Sequence, residues 1–347
     1  MPFNPDLAAL LARGLLGVMT TAEQSILRVI ATQLADGIDR DDWVDRHAGK
    51  VARIRRSVAA IMRDARTVGL RGLAADLLTA YRDGAQSAAD DLAGGPKVQA
   101  NAARIAPLLK AAQKELASTV LRTQSSAAAI YRAVADDTTA RMLRGELTRR
   151  EASAAAVRQW ADRGVTAFID KGGRRWEMGA YAEMVARTAA MQALVAGHVD
   201  HLQAAGHDLV MVSDAPEECQ LCRPWEGTVL SLTGDTPKYA TLDKAKAAGL
   251  FHPNCRHRLV VYIPGVTERY TDTRDEAGDK LRQQQRAYER RVRELARRAA
   301  TLATLDPKGA AAKAAKLVLA AKQREFKAWR AANDRKELRY RTDLVSR

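Results

Sequence analysis

The sequence is poor in cysteine, in aromatic residues and in long apolar runs. Only three of its 347 residues are cysteines, and unpaired thiols suit a reducing cytoplasm better than an oxidising compartment. No stretch reaches about 18 uninterrupted apolar residues, so a membrane-spanning helix is not expected. The amino terminus also lacks a basic region followed by an apolar one, which predicts a soluble protein that is not exported.

Aromatic residues make up 5% of the chain and hydrophobic residues 47%, so we expect an aliphatic core. Alanine and leucine dominate, and long stretches lack glycine and proline, which predicts a mostly α-helical protein. A helical body is expected over residues 1–165, with capping boxes at Thr20/Glu23 and Thr148/Glu151. Its predicted helices span 5–17, 21–36, 42–67, 70–92 and 98–144, followed by one that ends near Gly164.

A small α+β module is predicted over residues 166–270. A glycine-containing turn opens it, and a helix from Met178 to Ala205 leads into segments that alternate like strands. The predicted strands are 208–213, 228–232 and 258–263. Arg187 is expected to face the module and to pair with a carboxylate such as Asp214 or Glu226, the alternative being an exposed arginine.

All three cysteines and two of the six histidines fall within 39 residues of this module. Cys219 and Cys222 form a C-x-x-C pair, and Cys255 lies between His252 and His257 in the run H-P-N-C-R-H. Zinc prefers thiolate and imidazole ligands, and four of these five side chains would complete a structural site. The alternatives are a buried cluster without metal, and catalysis, for which a nucleophilic cysteine would need a lowered pKa and an orienting partner.

Positive charge is concentrated at the carboxyl end of the chain. Residues 280–347 hold 20 lysines and arginines against 7 acids, whereas the preceding residues are nearly balanced. The pattern predicts a basic helical arm over 271–347, with a break at Asp306–Gly309. A coiled-coil seam is predicted at Leu281, Gln285, Tyr288, Val292, Leu295, Ala299 and Leu302. The arm can fold as a helical hairpin or dock on a neighbouring subunit.

Five arginines fall on what the heptad pattern predicts to be the polar side of this seam. They are Arg290, Arg291, Arg293, Arg297 and Arg298. A neutral body with a cationic arm is typical of a protein that meets a polyanion, and double-stranded DNA is the obvious candidate. The alternative is a solvated coiled coil in which the arginines provide only solubility.

Four runs of the module resemble the phage minor capsid protein 2 family, which is related to the head-morphogenesis proteins of Mu-like phages. They are V-M-V-S-D-A at 210–215, C-x-x-C-R-P-W-E-G-T-V-L-S at 219–231, G-L-F-H-P-N-C-R-H at 249–257 and V-Y-I-P-G at 261–265. Mu-like relatives have cysteine at the position of His257, a replacement that preserves ligation. The resemblance therefore favours His257 as the fourth ligand, with His252 orienting the site from outside the coordination sphere.

The resemblance implies a structural, non-enzymatic minor head protein of a tailed double-stranded DNA phage or prophage. It implies a role near the portal vertex in head assembly and in DNA packaging or delivery. The expected partners are the portal protein, the major capsid protein or both, together with packaged DNA, and no membrane. Multiple copies per head are expected, made in the host cytoplasm and built into the virion.

Two functions of other classes stand as alternatives. An HNH-like nuclease needs an adjacent His-His or Asp-His pair on a hairpin, but His198, His201 and His207 lie on the preceding helix and at its end. A zinc-containing DNA-binding protein would carry its basic patch on the Cys/His cluster itself. The cations lie in the carboxyl-terminal segment instead.

Overall fold

The computed structural model describes residues 5–36, 47–94, 101–163, 168–169, 175–269 and 275–344. This part of the chain is mostly α-helical and contains a small four-stranded sheet, which confirms the predicted fold class. Among these residues, no helix combines the length and the apolar character that crossing a bilayer would need.

The described elements follow one another in a simple order. The first part of the chain forms α1 (Pro5–Ala35), α2 (His47–Asp91), α3 (Ala102–Leu143), α4 (Arg149–Arg163), β1 (Phe168–Ile169) and β2 (Arg175–Trp176). The second part forms α5 (Met178–Ala204), β3 (Leu209–Val212), β4 (Val229–Ser231), β5 (Ala240–Thr241), α6 (Leu242–Ala247), β6 (Leu259–Val261), α7 (Glu276–Leu305) and α8 (Ala310–Ala332). β1 and β2 pair antiparallel, and the glycine turn expected between them lies outside the described residues.

The amino-terminal helices are longer than the sequence predicts. α1 and α2 each run through an expected break, because glycine costs a helix only about 1 kcal/mol and no proline interrupts them. The expected helix start at Thr20 is wrong, since Thr20 and Glu23 are buried in the middle of α1. The second capping box is confirmed: the Thr148 N–H donates to Glu151 Oε2 at 2.9 Å, and the Glu151 N–H donates to Thr148 Oγ1 at 3.3 Å.

The chain divides into two compact units. Unit 1 comprises Met1–Leu15, Leu70–Glu115 and Ala182–Gln283, and unit 2 comprises Leu16–Gly69, Leu116–Tyr181 and Gln284–Arg347. This division differs from the three consecutive segments expected from the sequence, because residues 284–347 group with parts of the helical body. The expected basic arm is therefore not a separate body.

In unit 1, α2 and α5 cross at very close range. A Cβ added to Gly84 would lie 2.0 Å from the Leu194 carbonyl oxygen, and one added to Gly197 would lie 2.0 Å from the Tyr81 carbonyl oxygen. Only glycine fits at these two positions without moving a helix backbone. The buried Tyr81 hydroxyl donates to Asp200 Oδ2 at 2.7 Å, which ties the same two helices together.

The four-stranded sheet also belongs to unit 1 and has the order β5-β4-β3-β6. β3 pairs antiparallel with both β4 and β6, which confirms the three predicted strands, and β5 pairs parallel with β4. The sequence prediction missed β5 and α6. β5 has two residues, too few for an alternating pattern, and it leads directly into α6, where Thr241 Oγ1 accepts from the Lys244 N–H at 3.2 Å.

In unit 2, the buried guanidinium of Arg297 on α7 lies between two carboxylates. It donates to Glu23 Oε2 on α1 at 3.3 Å and to Glu177 Oε1 at 2.7 Å. α7 and α8 form a hairpin, one of the two arrangements expected for the tail, in which Tyr288 lies 5.3 Å from the ring centroids of both Phe326 and Trp329. Five seam residues are buried within the single chain, namely Gln285, Val292, Leu295, Ala299 and Leu302.

The α2–α5 crossing predicts which glycines tolerate a methyl group. Gly84→Ala and Gly197→Ala should each lower the free energy of unfolding by about 1–3 kcal/mol, because the helices must separate. Gly72→Ala is the matched control, since nothing lies within 4 Å of its added Cβ, and it should raise that free energy by up to about 1 kcal/mol. Urea unfolding followed by circular dichroism measures all three, and equal effects would contradict the close crossing.

Candidate metal site

The sheet register brings the predicted ligands together. Val212, at the end of β3, pairs with Leu259, at the start of β6, so the segment after β3 and the segment before β6 lie at the same end of the sheet. The first segment carries Cys219 and Cys222, and the second carries the run from His252 to His257. The segment that enters β4 reaches the same end, because the Gly227 N–H donates to the Val212 carbonyl oxygen at 3.0 Å.

Two tight turns present the ligands in pairs. In the run His252-Pro253-Asn254-Cys255, the Cys255 N–H donates to the His252 carbonyl oxygen at 2.9 Å, and Asn254 has a φ of 72°. Proline at the second position and a left-handed asparagine at the third are the residues that a type II turn requires. In the other turn, the Cys219 carbonyl oxygen accepts from the Cys222 N–H at 3.1 Å.

All five predicted ligand side chains meet at this point. Cys219 Sγ lies 2.8 Å from His252 Nε2, and Cys255 Sγ lies 3.5 Å from both Cys222 Sγ and His257 Nδ1. The donors form two groups, Cys219/Cys222/His252 and Cys222/Cys255/His257, whose ligand atoms lie within 4.8 Å of one another. Sulfur atoms about 3.8 Å apart are what tetrahedral zinc with Zn–S bonds of about 2.3 Å requires. The donor set therefore fits zinc.

Both histidines are oriented as metal-bound histidines are. His257 directs Nδ1 at Cys255, and its Nε2 lies 2.7 Å from Glu226 Oε1. His252 directs Nε2 at Cys219, and its Nδ1 lies 2.7 Å from the Pro253 carbonyl oxygen. An acceptor on the remaining ring nitrogen fixes the tautomer and orientation of a ligating histidine. His252 thus has the same access to a metal as His257.

The same contacts place a thiolate in the cluster. A hydrogen bond with Cys222 lowers the pKa of Cys255 to about 4, and the neighbouring His257 acts in the same direction. The pKa of Cys222 is raised, first by that hydrogen bond and then by burial. Burial opposes the imidazolium, but Cys255 and Glu226 together raise the pKa of His257. The thiolate is the form of cysteine that binds metal.

The ligands line a cavity of about 170 Å³ whose remaining wall combines the apolar residues Ala215, Pro216 and Pro253 with polar and charged ones. Glu217, Glu218, Asn254, Arg256 and Arg282 contribute to that wall. A catalytic zinc keeps an open coordination position, whereas a structural zinc has four protein ligands. With five protein donors available, the arrangement favours a structural metal.

Arg187 on α5 faces the module, as predicted, but its partners differ from those expected. It donates to Asn254 Oδ1 and lies 3.6 Å from Glu183 Oε1 on its own helix. Asp214 and Glu226 were the expected partners, and Glu226 binds His257 instead. Since Asn254 is the left-handed residue of the ligand turn, this bond attaches α5 to the turn that carries His252.

A buried carboxylate, Glu218, fixes the other ligand turn. Its Oε1 accepts from Arg223 Nε at 2.6 Å, and its Oε2 accepts from the Asp275 N–H at 2.9 Å. Arg223 also donates to Glu276 at the start of α7 at 2.6 Å. The sequence prediction missed Glu218, and it gave Glu226 a different partner, Arg187 instead of His257. No spacing rule links an isolated acid to a cluster, and only the folded register shows their positions.

The structure corrects part of the prediction for the basic residues. Arg290 and Arg291 are exposed and Arg298 is half-buried, but Arg293 and Arg297 are buried, so their expected exposure is wrong. Arg297 binds two carboxylates, and Arg293 donates to the Tyr340 carbonyl oxygen at 3.4 Å. The buried face of α7 is wider than a heptad seam, as is usual for a helix packed in a globular unit.

The sequence model of the phage minor capsid protein 2 family matches residues 3–329, so the chain belongs to this family. A structural protein of Lactococcus phage LL-H is 28% identical over 182 residues, which cover 49% of this chain and 49% of that protein. The match thus spans about half the length of that relative. No solved structure matches the chain.

Proposed function

We propose that the protein is a structural minor head protein of a tailed double-stranded DNA phage or prophage, acting near the portal vertex in head assembly and DNA packaging or delivery. The observation that carries this proposal is the family match over residues 3–329, which includes the helical segments as well as the Cys/His cluster. The similarity to a phage protein named as structural supports it. Its partners would be the portal protein, the major capsid protein or both, and it would reside in the virion.

A non-enzymatic role follows from the same proposal. The Cys/His cluster has enough protein donors to fill a tetrahedral metal site without an open position. His198 and His201, which a nuclease would need on an exposed hairpin, are instead buried on helix α5. These features favour a structural protein over the HNH-like nuclease.

The cluster would hold one structural zinc ion. Cys219, Cys222 and Cys255 would supply three ligands, and His257 or His252 the fourth. Zinc would cross-link the two ligand turns, because Cys219 and Cys222 lie in one of them and the remaining donors lie in the segment from His252 to His257. Glu226 would keep the His257 ring in place from outside the coordination sphere.

The zinc proposal predicts about one metal ion per chain in protein purified without chelator, as measured by elemental analysis. Cys222→Ser should lose the metal and unfold the module, because Cys222 belongs to both ligand groups. His207→Gln is the control, since His207 lies outside the cluster, and it should keep the metal. Single alanine variants of His252 and His257 identify the fourth ligand. A metal-free protein whose melting temperature does not change when zinc is added would contradict the proposal.

The exposed arginines of α7 would contact packaged DNA without reading its sequence. Arg290, Arg291 and Arg298 remain accessible to different degrees on one stretch of the helix. Arginine side chains bind phosphate oxygens and release condensed counterions, so such binding depends on salt. The buried Arg293 and Arg297 would contribute nothing to it.

Replacing Arg290, Arg291 and Arg298 together by glutamine should weaken binding to duplex DNA. If all three arginines contact phosphates, their contribution lowers the affinity for DNA roughly 40-fold when salt rises from about 50 to 200 mM. The triple variant should lose this part of the salt dependence. The control replaces Arg55, Arg56 and Arg63, which are exposed on α2, with the same change in charge. Fluorescence anisotropy measures both, and equal losses would show nonspecific attraction to a basic protein.

The virion role predicts where the chain appears during assembly. Mass spectrometry of purified proheads should find it at fewer copies than the major capsid protein, and chemical cross-links should join it to the portal protein. Heads assembled without the portal protein should lack it. If it persisted in those heads, the portal role would be wrong, and if it were absent from all proheads, the head role would be wrong.

A further inference from the structure

Helix α8 has two apolar faces. Its inner face is covered within unit 2, where Ala312, Ala315 and Phe326 are buried and Phe326 stacks on Tyr288 of α7. On the opposite side of the helix, Leu317 is 71% exposed, and Val318, which lies between the two sides, is 46% exposed. At 100° of rotation per residue, Leu317 points away from Ala315 and Phe326. A helix that is apolar on both sides ordinarily buries both.

The exposed side has the length and the spacing of a helix-packing surface. Its members follow one another by three and four residues, namely Ala310, Ala314, Leu317, Ala321, Arg324, Ala328 and Ala331, and all are exposed. We call this the outer face of α8. It extends for about 30 Å at a rise of about 1.5 Å per residue. Alanine side chains allow a second helix to approach closely, since interaxial distance depends on the side chains at the contact.

Charge indicates what covers the outer face. Lys313, Lys316 and Lys327 are exposed along one edge of it, beside Arg324 of the face itself. None of these four cations forms an ion pair with another residue that the structure describes. The only acid of α8 is Glu325, which binds Lys322 at 2.6 Å and accepts from the Tyr288 hydroxyl at 3.1 Å. Packing of α8 against the α8 of a second copy would therefore bring no unpaired acid to these cations. A partner with carboxylates beside an apolar row would complement them.

We propose that the outer face of α8 is a docking surface for an acidic amphipathic helix of another protein. Leucine-sized side chains of that helix would pack between the alanines around Leu317 and Val318. Its glutamates or aspartates would lie beside Lys313, Lys316, Arg324 and Lys327. Duplex DNA offers the charge but no apolar surface of this shape, and an alanine-rich face gains little from insertion into a lipid surface. The inference goes beyond the proposed head role and does not depend on zinc.

The experiment uses the full chain and a synthetic heptad peptide of four heptads, with leucine and alanine in its core positions and glutamate at both flanking positions. The same peptide with lysine in place of glutamate is the matched probe. Fluorescence anisotropy should show binding of the acidic peptide and at least tenfold weaker binding of the basic one. Leu317→Glu combined with Val318→Glu should reduce binding of the acidic peptide at least tenfold. Leu121→Glu, which alters another exposed leucine, should leave it unchanged.

A second variant keeps the proposal testable if the first one misfolds. Lys316→Glu combined with Lys327→Glu should shift the preference from the acidic to the basic peptide. Equal binding of both peptides by the unaltered chain would overturn the proposal. The proposal would also be overturned if the acidic peptide did not bind and the chain instead bound vesicles of one part phosphatidylglycerol to three parts phosphatidylcholine through Leu317. Self-association that Leu317→Glu abolishes, measured by sedimentation, would assign the face to a second copy instead.

Discussion

A buried cation holds together the three separate stretches of chain that form unit 2. Arg297 comes from the carboxyl-terminal stretch, Glu23 from the first and Glu177 from the middle one. Burial opposes the guanidinium charge, but the two carboxylates more than compensate and raise the pKa of Arg297. Removing one partner of such a buried ion pair typically lowers the free energy of unfolding by about 3–5 kcal/mol, because the charge that remains is buried without a partner or water. The rotation of α7 and the position of its seam therefore depend on this contact.

Unit 1 depends on the close approach of two helix backbones and on two loops that meet at one end of the sheet. Gly84 and Gly197 let α2 and α5 approach until a methyl group would clash. α5 then leads into β3, one of the two inner strands of the sheet, and Arg187 on α5 donates to Asn254 in the turn that carries His252. The antiparallel register of β3 and β6 brings cysteine and histidine side chains that are 33 residues apart in the chain into contact.

The sequence predicts what is local and periodic, and misses what depends on distant partners. Helical spacing predicted most helices and alternation predicted three strands, since both patterns lie within a few residues. The C-x-x-C and H-P-N-C-R-H runs predicted the cluster because ligand chemistry restricts residue types. The burial of Arg297 was not predictable, since it depends on Glu23, which is 274 residues away. Neither was the orienting role of Glu226, which follows from a strand register.

The net charge of +15 does not by itself measure the affinity of the protein for nucleic acid. Part of it serves folding: Arg187 and Arg223 hold the ligand turns, and Arg297 holds the helices of unit 2. Within the carboxyl-terminal segment, the exposed positive charge lies on two helices in different settings. On α7 it is arginine beside a seam that the chain itself buries, which suits phosphates. On α8 it is mostly lysine beside an uncovered apolar face, which suits an acidic helix, so the basic carboxyl-terminal segment has two kinds of surface.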